Sequence, residues 1–184
     1  MSGGLPKTKY RSAKEIAYLA LFLALLIGGQ YVFAVLPGVE IVTVLFVSYA
    51  FCFGKGRGMV AATAFSLLRQ VLFGVFLNVL ILYLVYFNLL ALIFGTIGNS
   101  ARKKGRLKLW LITLIACLCT VGFTLFDNLL TPVWYGFTPK ATKTYFIASL
   151  PFVFPQVICT FLTVGYLFLP LKKVFSTAAK NLKD

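Results

Sequence analysis

The stretch Met59–Gly98, MVAATAFSLLRQVLFGVFLNVLILYLVYFNLLALIFGTIG, holds one charged residue, Arg69, in 40 positions. As one helix it would run about 60 Å at about 1.5 Å per residue. That is about twice the hydrocarbon core of a bilayer, roughly 30 Å. The chain must therefore fold back once within it, and the polar and glycine positions from Gly74 to Asn78 are where it does so. The pattern lacks the period-two alternation of a membrane β-barrel strand. It reads as two apolar helices joined by a tight turn.

Working outward, the rest of the chain has the same character. Of 184 residues, 60% are hydrophobic, 19 are Phe and only 12% are charged. A soluble domain is about a quarter charged, and disorder needs low hydrophobicity. The expected fold is an all-α membrane protein forming one integral membrane domain over residues 1–184. Six spans are expected, at about 14–36, 39–53, 59–76, 79–98, 109–131 and 146–171. Pro37-Gly38 ends the first, and Gly54-Lys55-Gly56-Arg57-Gly58 forms the loop before the third. A long loop precedes the sixth, whose outer part Pro151 and Pro155 are expected to kink. The first apolar stretch exceeds the 7–15 residues of a signal-peptide core, so it reads as a span.

The formal net charge of +14, from 18 basic and 4 acidic residues, is explained by orientation. With the N-terminus inside, Lys7, Lys9, Arg11 and Lys14 are cytoplasmic, as are Lys55 and Arg57. Arg102, Lys103, Lys104, Arg106 and Lys108 share the next inner loop, and Lys172, Lys173, Lys180 and Lys183 the tail. Only Lys140 and Lys143 fall outside. This asymmetry places both termini in the cytoplasm. It leaves no polar docking surface for nucleic acid.

Enzymatic chemistry has little to work with. There is no histidine, so Ser-His-Asp and Cys-His arrangements are impossible. Cys52, Cys117, Cys119 and Cys159 lie within spans without zinc-site spacing. No phosphate-binding GxxxxGK[ST] loop occurs, so the chain has no ATPase motif of its own. Neither a metal site nor a cofactor is expected.

Polar residues inside the spans carry the functional signal, because an intramembrane ionisable group is costly. Ser66, Arg69, Gln70 and Phe73 share one helical face. Thr120, Thr124, Asp127, Asn128 and Thr131 form a second stripe, and Gln156, Thr160 and Thr163 a third. Glu40 and Thr43 share a face in the second span, and Asn78 lies in the turn after the third. Trp134, Tyr135 and Phe137 add aromatic walls. On this topology Glu40, Arg69 and Asp127 all lie at or outward of the midplane. The set Glu40, Arg69, Gln70, Asn78, Asp127, Asn128, Trp134, Tyr135 and Gln156 is the candidate substrate-binding site, an outward cavity. The competing reading pairs Arg69 with Asp127 or Glu40 only to hold the bundle together. A separate stripe, Ala13, Ala17, Ala20, Ala24 and Gly28, runs down the first span. Small residues at this spacing permit close helix approach, either within the bundle or to a partner.

Taken in order, these features resemble the substrate-binding (S) component of an energy-coupling factor (ECF) transporter. The similar segments are Leu36-Pro37-Gly38-Val39-Glu40-Ile41-Val42-Thr43, then Phe53 to Gly58 followed by Ala61 and Ala62, and Phe126-Asp127-Asn128-Leu129-Leu130-Thr131-Pro132. The resemblance implies a bacterial or archaeal cell-membrane protein. It would bind a vitamin or related micronutrient with high affinity for an ABC importer. It would dock through Ala13, Ala17, Ala20 and Ala24 onto a transmembrane coupling protein served by two cytoplasmic ATPases. The segment joining the first two spans, with Ala141 to Tyr145, would gate the cavity. Among ligands the lean is to a cobalamin- or flavin-type molecule, and the missing histidines argue against nickel or cobalt ions. A small polytopic membrane enzyme using Asp127 and Glu40 as acid and base, or a membrane scaffold, remain as alternatives.

Overall fold

A computed structural model describes residues 13–35, 41–105 and 108–182. Among them every element is a helix: α1 (Ala13–Phe33), α2 (Val42–Phe53), α3 (Lys55–Phe73), α4 (Leu77–Lys104), α5 (Leu109–Trp134) and α6 (Pro139–Asn181). Four of these, α1, α4, α5 and α6, are long and apolar enough to cross a membrane. Their outward faces carry Leu21, Val32, Leu118, Leu129, Phe154 and Phe161, each at least 60% exposed. A water-soluble surface does not tolerate such an apolar belt.

α2 differs from the four. Its 12 residues give a helix of about 18 Å, shorter than the bilayer core. Every residue from Val42 to Cys52 is buried, as expected of a helix that is apolar all round. It is the axis of the bundle, packed against α1, α3, α4 and α6. The helical hairpins α3–α4 and α5–α6 pack closely within themselves, and α5 also meets α4. The core is largely aromatic. Phe46 meets Phe87 at 5.0 Å, Phe65 meets Phe87 edge-on at 5.1 Å, and Phe51 meets Phe168 edge-on at 5.2 Å.

Three boundaries differ from the sequence expectation. α3 begins at Lys55, so the supposed Gly54 to Gly58 loop shrinks to Gly54 alone, with φ +84°. The glycine-rich run stays helical because its glycines serve packing: a Cβ on Gly58 would sit 3.0 Å from that of Ala91 and 3.3 Å from that of Ala50. The long loop before the sixth span also shrinks. α5 continues through Pro132 to Trp134, and Thr138 starts α6, its side chain accepting from the Ala141 N–H at 3.3 Å with Pro139 next to it. Proline in the first turn has no amide to leave unpaired. Finally, α6 runs from Pro139 to Asn181, past both ends of the expected 146–171, and stays helical through Pro151, Pro155 and Pro170. The expected fold-back does occur where the sequence placed it, between Phe73 and Leu77.

The alternation of helices brings Lys55, Arg57, Arg102, Lys172 and Lys180 to one end of the bundle, while Lys140 and Lys143 stand at the other. The basic end is tightly locked. A Cβ on Gly98 would lie 2.1 Å from the Phe51 carbonyl oxygen, and one on Gly95 2.4 Å from the Lys55 nitrogen. α4 therefore presses its glycines directly onto the α2–α3 corner.

Candidate functional site

At the end opposite the basic cluster, two groups of polar side chains face each other across α4. The first is centred on Arg69 of α3. Its guanidinium carbon lies 4.5 Å from the Tyr83 ring centroid and 5.6 Å from that of Phe73. Its Nε and Nη1 are buried with no hydrogen-bond partner. Aromatic faces attract a cation, but they do not accept two N–H groups as an oxygen would. The Tyr83 hydroxyl accepts from Gln30 Nε2 of α1 at 3.2 Å. Next to Arg69, Gln70 is buried, and its Oε1 accepts the Phe76 N–H at 2.9 Å. Gln70 thus pins the α3–α4 turn while its Nε2 stays unpartnered.

The second group is centred on Asp127 of α5. Its Oδ1 accepts from Thr131 at 2.7 Å and its Oδ2 from the Tyr145 hydroxyl of α6 at 2.9 Å. Asn128, 3% exposed, donates to Ser149 at 2.7 Å and leaves its Oδ1 unpartnered. Deeper along the same interface, Thr124 donates to Gln156 Oε1 at 3.3 Å, and Thr120 meets Thr160 at 3.0 Å. An aromatic cap covers the end. Tyr135 stacks near Phe137 at 6.2 Å, and Phe137 meets Tyr145 edge-on at 5.9 Å.

The groups touch at two points. The Tyr135 hydroxyl donates to Asn78 Oδ1 at 3.4 Å, joining the cap to the start of α4. Phe123, one turn before Asp127, packs 5.9 Å from Tyr83 and 4.7 Å from Tyr86. Gln70, Asn78, Asp127, Asn128, Tyr135 and Gln156 therefore join Arg69 in one polar, aromatic end of the bundle. Trp134, 46% exposed, stands apart from these contacts, and Glu40 lies outside the described residues.

The proposed Arg69–Asp127 pair does not form; the Asp127 oxygens instead accept from hydroxyls of α5 and α6. Among the described residues the one ion pair joins Arg57 to Glu15, at the other end. Sequence reasoning missed Gln30, Tyr83 and Ser149. Gln30 carried a signal as the lone strongly polar residue of the first span. Tyr145 and Ser149 extend the Gln156–Thr160–Thr163 face upstream with helical spacing. Tyr83 carries no sequence mark that separates it from the other tyrosines.

Among the described residues nothing packs over the alanine stripe. Ala13, Ala17, Ala20 and Ala24 are all exposed, and nothing lies within 4 Å of a Cβ placed on Gly28. α1 buries instead Glu15, Phe22, Leu23 and Leu26. Two cavities of about 400 Å³ are also present, and the first borders the polar end at Phe123. One is an apolar groove between α4 and α5, lined by Tyr86, Leu90, Leu118, Gly122 and Phe126. The other is at the basic end.

These features define the class: an all-helical protein with several membrane-length apolar helices. Comparison with protein-family models, curated proteins and solved structures finds no match to this chain.

Proposed function

We propose that this chain is the substrate-binding component of an ECF-type importer, taking a vitamin or related micronutrient at its polar, aromatic end. The six helices then correspond to six spans, with both termini and the basic end in the cytoplasm and the Arg69–Asp127 end outward. α2, too short alone, lies within the bundle and does not face lipid.

The observation that carries the reading is Arg69. A half-buried guanidinium whose buried Nε and Nη1 find no acceptor among the described residues is unfavourable in the folded protein. A ligand carboxylate or phosphate would supply the charged acceptor that the guanidinium lacks. Tyr83, Phe73 and Phe123 would supply apolar walls to a planar ring system, and Asn128 Oδ1 and Gln70 Nε2 are further unmatched groups for its polar edges. The exposed alanine stripe supports docking on a coupling protein, because a small-residue face with no occupant in the bundle permits close helix approach. Ala141 to Tyr145, in the first turns of α6, would move with the aromatic cap.

Mass spectrometry of the small molecules that co-purify with the protein tests the reading directly. A vitamin-class compound at near-stoichiometric amount is expected. A thermal-shift screen of micronutrients that leaves a well-folded sample unmoved would sink it. Replacing Ala20 and Ala24 by Trp is expected to stop uptake and leave binding intact. Uptake that survives would remove the docking face.

A further inference from the structure

The cavity at the basic end is formed where four helices meet, and its charge is one-sided. Arg57 from the first turn of α3, Arg102 from α4, and Lys172 and Lys180 from α6 all line it. Lys172, Ser176 and Lys180 follow each other at four-residue spacing, so one face of α6 presents them together. Opposite stand Phe51 and Phe53, at the end of α2.

These four cations differ in what already holds them. Arg57 pairs with Glu15, which is 7% exposed. Arg102 donates to the Cys52 carbonyl at 2.6 Å and the Phe51 carbonyl at 3.4 Å, and also to Asn99. It caps the last carbonyls of α2 and is thereby fixed at the cavity wall. Lys172 and Lys180 have no carboxylate partner among the described residues. The Lys172 ammonium lies 5.8 Å from the Phe51 ring centroid. Like charges converging on one cavity repel, and an anion entering it removes that cost. The N-terminus of α3 adds its positive dipole end at Arg57. Cations alongside Phe51, Phe53 and Ala179 suit a phosphate group whose remaining substituent is apolar.

We propose that this cavity binds the phosphate of an anionic phospholipid, with Lys172 and Lys180 as its mobile contacts and Arg102 as its fixed one. Basic pockets between transmembrane helices take lipid head groups in this manner. The site is independent of the importer reading, since it lies at the other end of the bundle and uses none of the same residues.

The test uses the full chain purified in detergent, with phosphatidylglycerol or phosphatidylcholine added and bound lipid read by native mass spectrometry. Phosphatidylglycerol should be retained over phosphatidylcholine. The variant K172Q/K180Q should lose about thirtyfold of that retention, from about 1 kcal/mol for each of the two cations. K103Q/K173Q, which removes the same charge outside the cavity, should keep it. Because Lys180 is exposed, K180Q alone provides the test if the double variant folds poorly, with a partial loss expected. Equal loss in K103Q/K173Q, or equal retention of the two lipids, overturns the proposal. A parallel arm adds inorganic phosphate at matched ionic strength and reads the melting temperature. Stabilisation by phosphate that K172Q/K180Q abolishes, without lipid retention, overturns the lipid as source and assigns the cavity to a soluble phosphate compound. Displacement of the lipid by a polyglutamate peptide, but not by phosphate, overturns the proposal in favour of an acidic protein segment.

Discussion

The two ends of this bundle solve opposite problems with the same helices. At the basic end most charges are matched or exposed: Glu15 meets Arg57, Arg102 caps the carbonyls of Phe51 and Cys52, and of the cavity lysines Lys180 is exposed while half-buried Lys172 lies by the Phe51 ring. Backbones there approach so closely that Gly95 and Gly98 have no room for a side chain. At the polar end, Gln30, Arg69, Gln70 and Asn128 own five of the six buried side-chain polar atoms that lack a partner among the described residues. Native proteins leave few such atoms, and each calls for an explanation. The difference teaches that one end is built for rigidity and the other is built with polar capacity its own side chains do not use.

The largest effect is expected at the rigid end. In Gly98→Ala the new Cβ meets the Phe51 carbonyl oxygen at 2.1 Å and its carbon at 2.8 Å, both backbone atoms of α2. α4 must then move away from the central helix, at a cost of about 3 kcal/mol or more. Gly165→Ala is the control, because nothing lies within 4 Å of its Cβ. It should stay within about 1 kcal/mol of the parent. Equal melting temperatures for the two variants would show that the α2–α4 contact is not tight.

Arg69→Ala comes next and separates the ends most sharply. Removing a half-buried cation whose Nε and Nη1 are buried and unmatched should leave the ligand-free melting temperature unchanged or raised. The same change should weaken ligand binding by about 1–3 kcal/mol, the worth of a charged hydrogen bond. A large fall in ligand-free stability would make Arg69 a structural residue and dissolve the contrast between the ends.

Glu15→Gln probes the matched end more gently. Glu15 is 7% exposed but Arg57 is 33% exposed, so solvent screens the pair. A loss of about 1 kcal/mol is expected. Glu15→Gln combined with Arg57→Gln should cost less than the sum of the single changes, as measured by a double-mutant cycle. Strict additivity would show that the two side chains do not interact in solution.

How much of this was legible in sequence follows the same division. Helical periodicity put Arg69 with Gln70, and Asp127 with Asn128 and Thr131, because a polar residue in an apolar run stands out against its background. The turn after Phe73 was legible for the same reason. Partner identity was not. The spacing of Arg69 and Asp127 along the chain is silent on the Tyr145 hydroxyl that engages Asp127 instead. Glu15 drew no attention, because a carboxylate at a helix start reads as a solvated interfacial charge, and only packing shows that it is buried. Gly95 and Gly98 likewise look like ordinary interruptions of an apolar helix until α2 is laid against them. The alanine stripe was visible as a stripe, but whether its face was covered by the bundle was a question of packing alone.

The smallest expected effect tests the aromatic cap. Tyr145→Phe removes the hydroxyl that donates to Asp127 Oδ2 at 2.9 Å and keeps the ring that packs on Phe137. Asp127 retains its bond from Thr131, and its freed oxygen lies on a half-buried side chain that water can reach. The cost to folding should therefore be about 1 kcal/mol or less. If α6 moves with the cap when ligand enters, the variant should instead change the rates of ligand binding and release, read by stopped-flow tryptophan fluorescence from Trp134. Unchanged rates alongside a clear loss of stability would place Tyr145 with Glu15 as a structural link, and would extend the rigid character of the basic end to this part of the polar one.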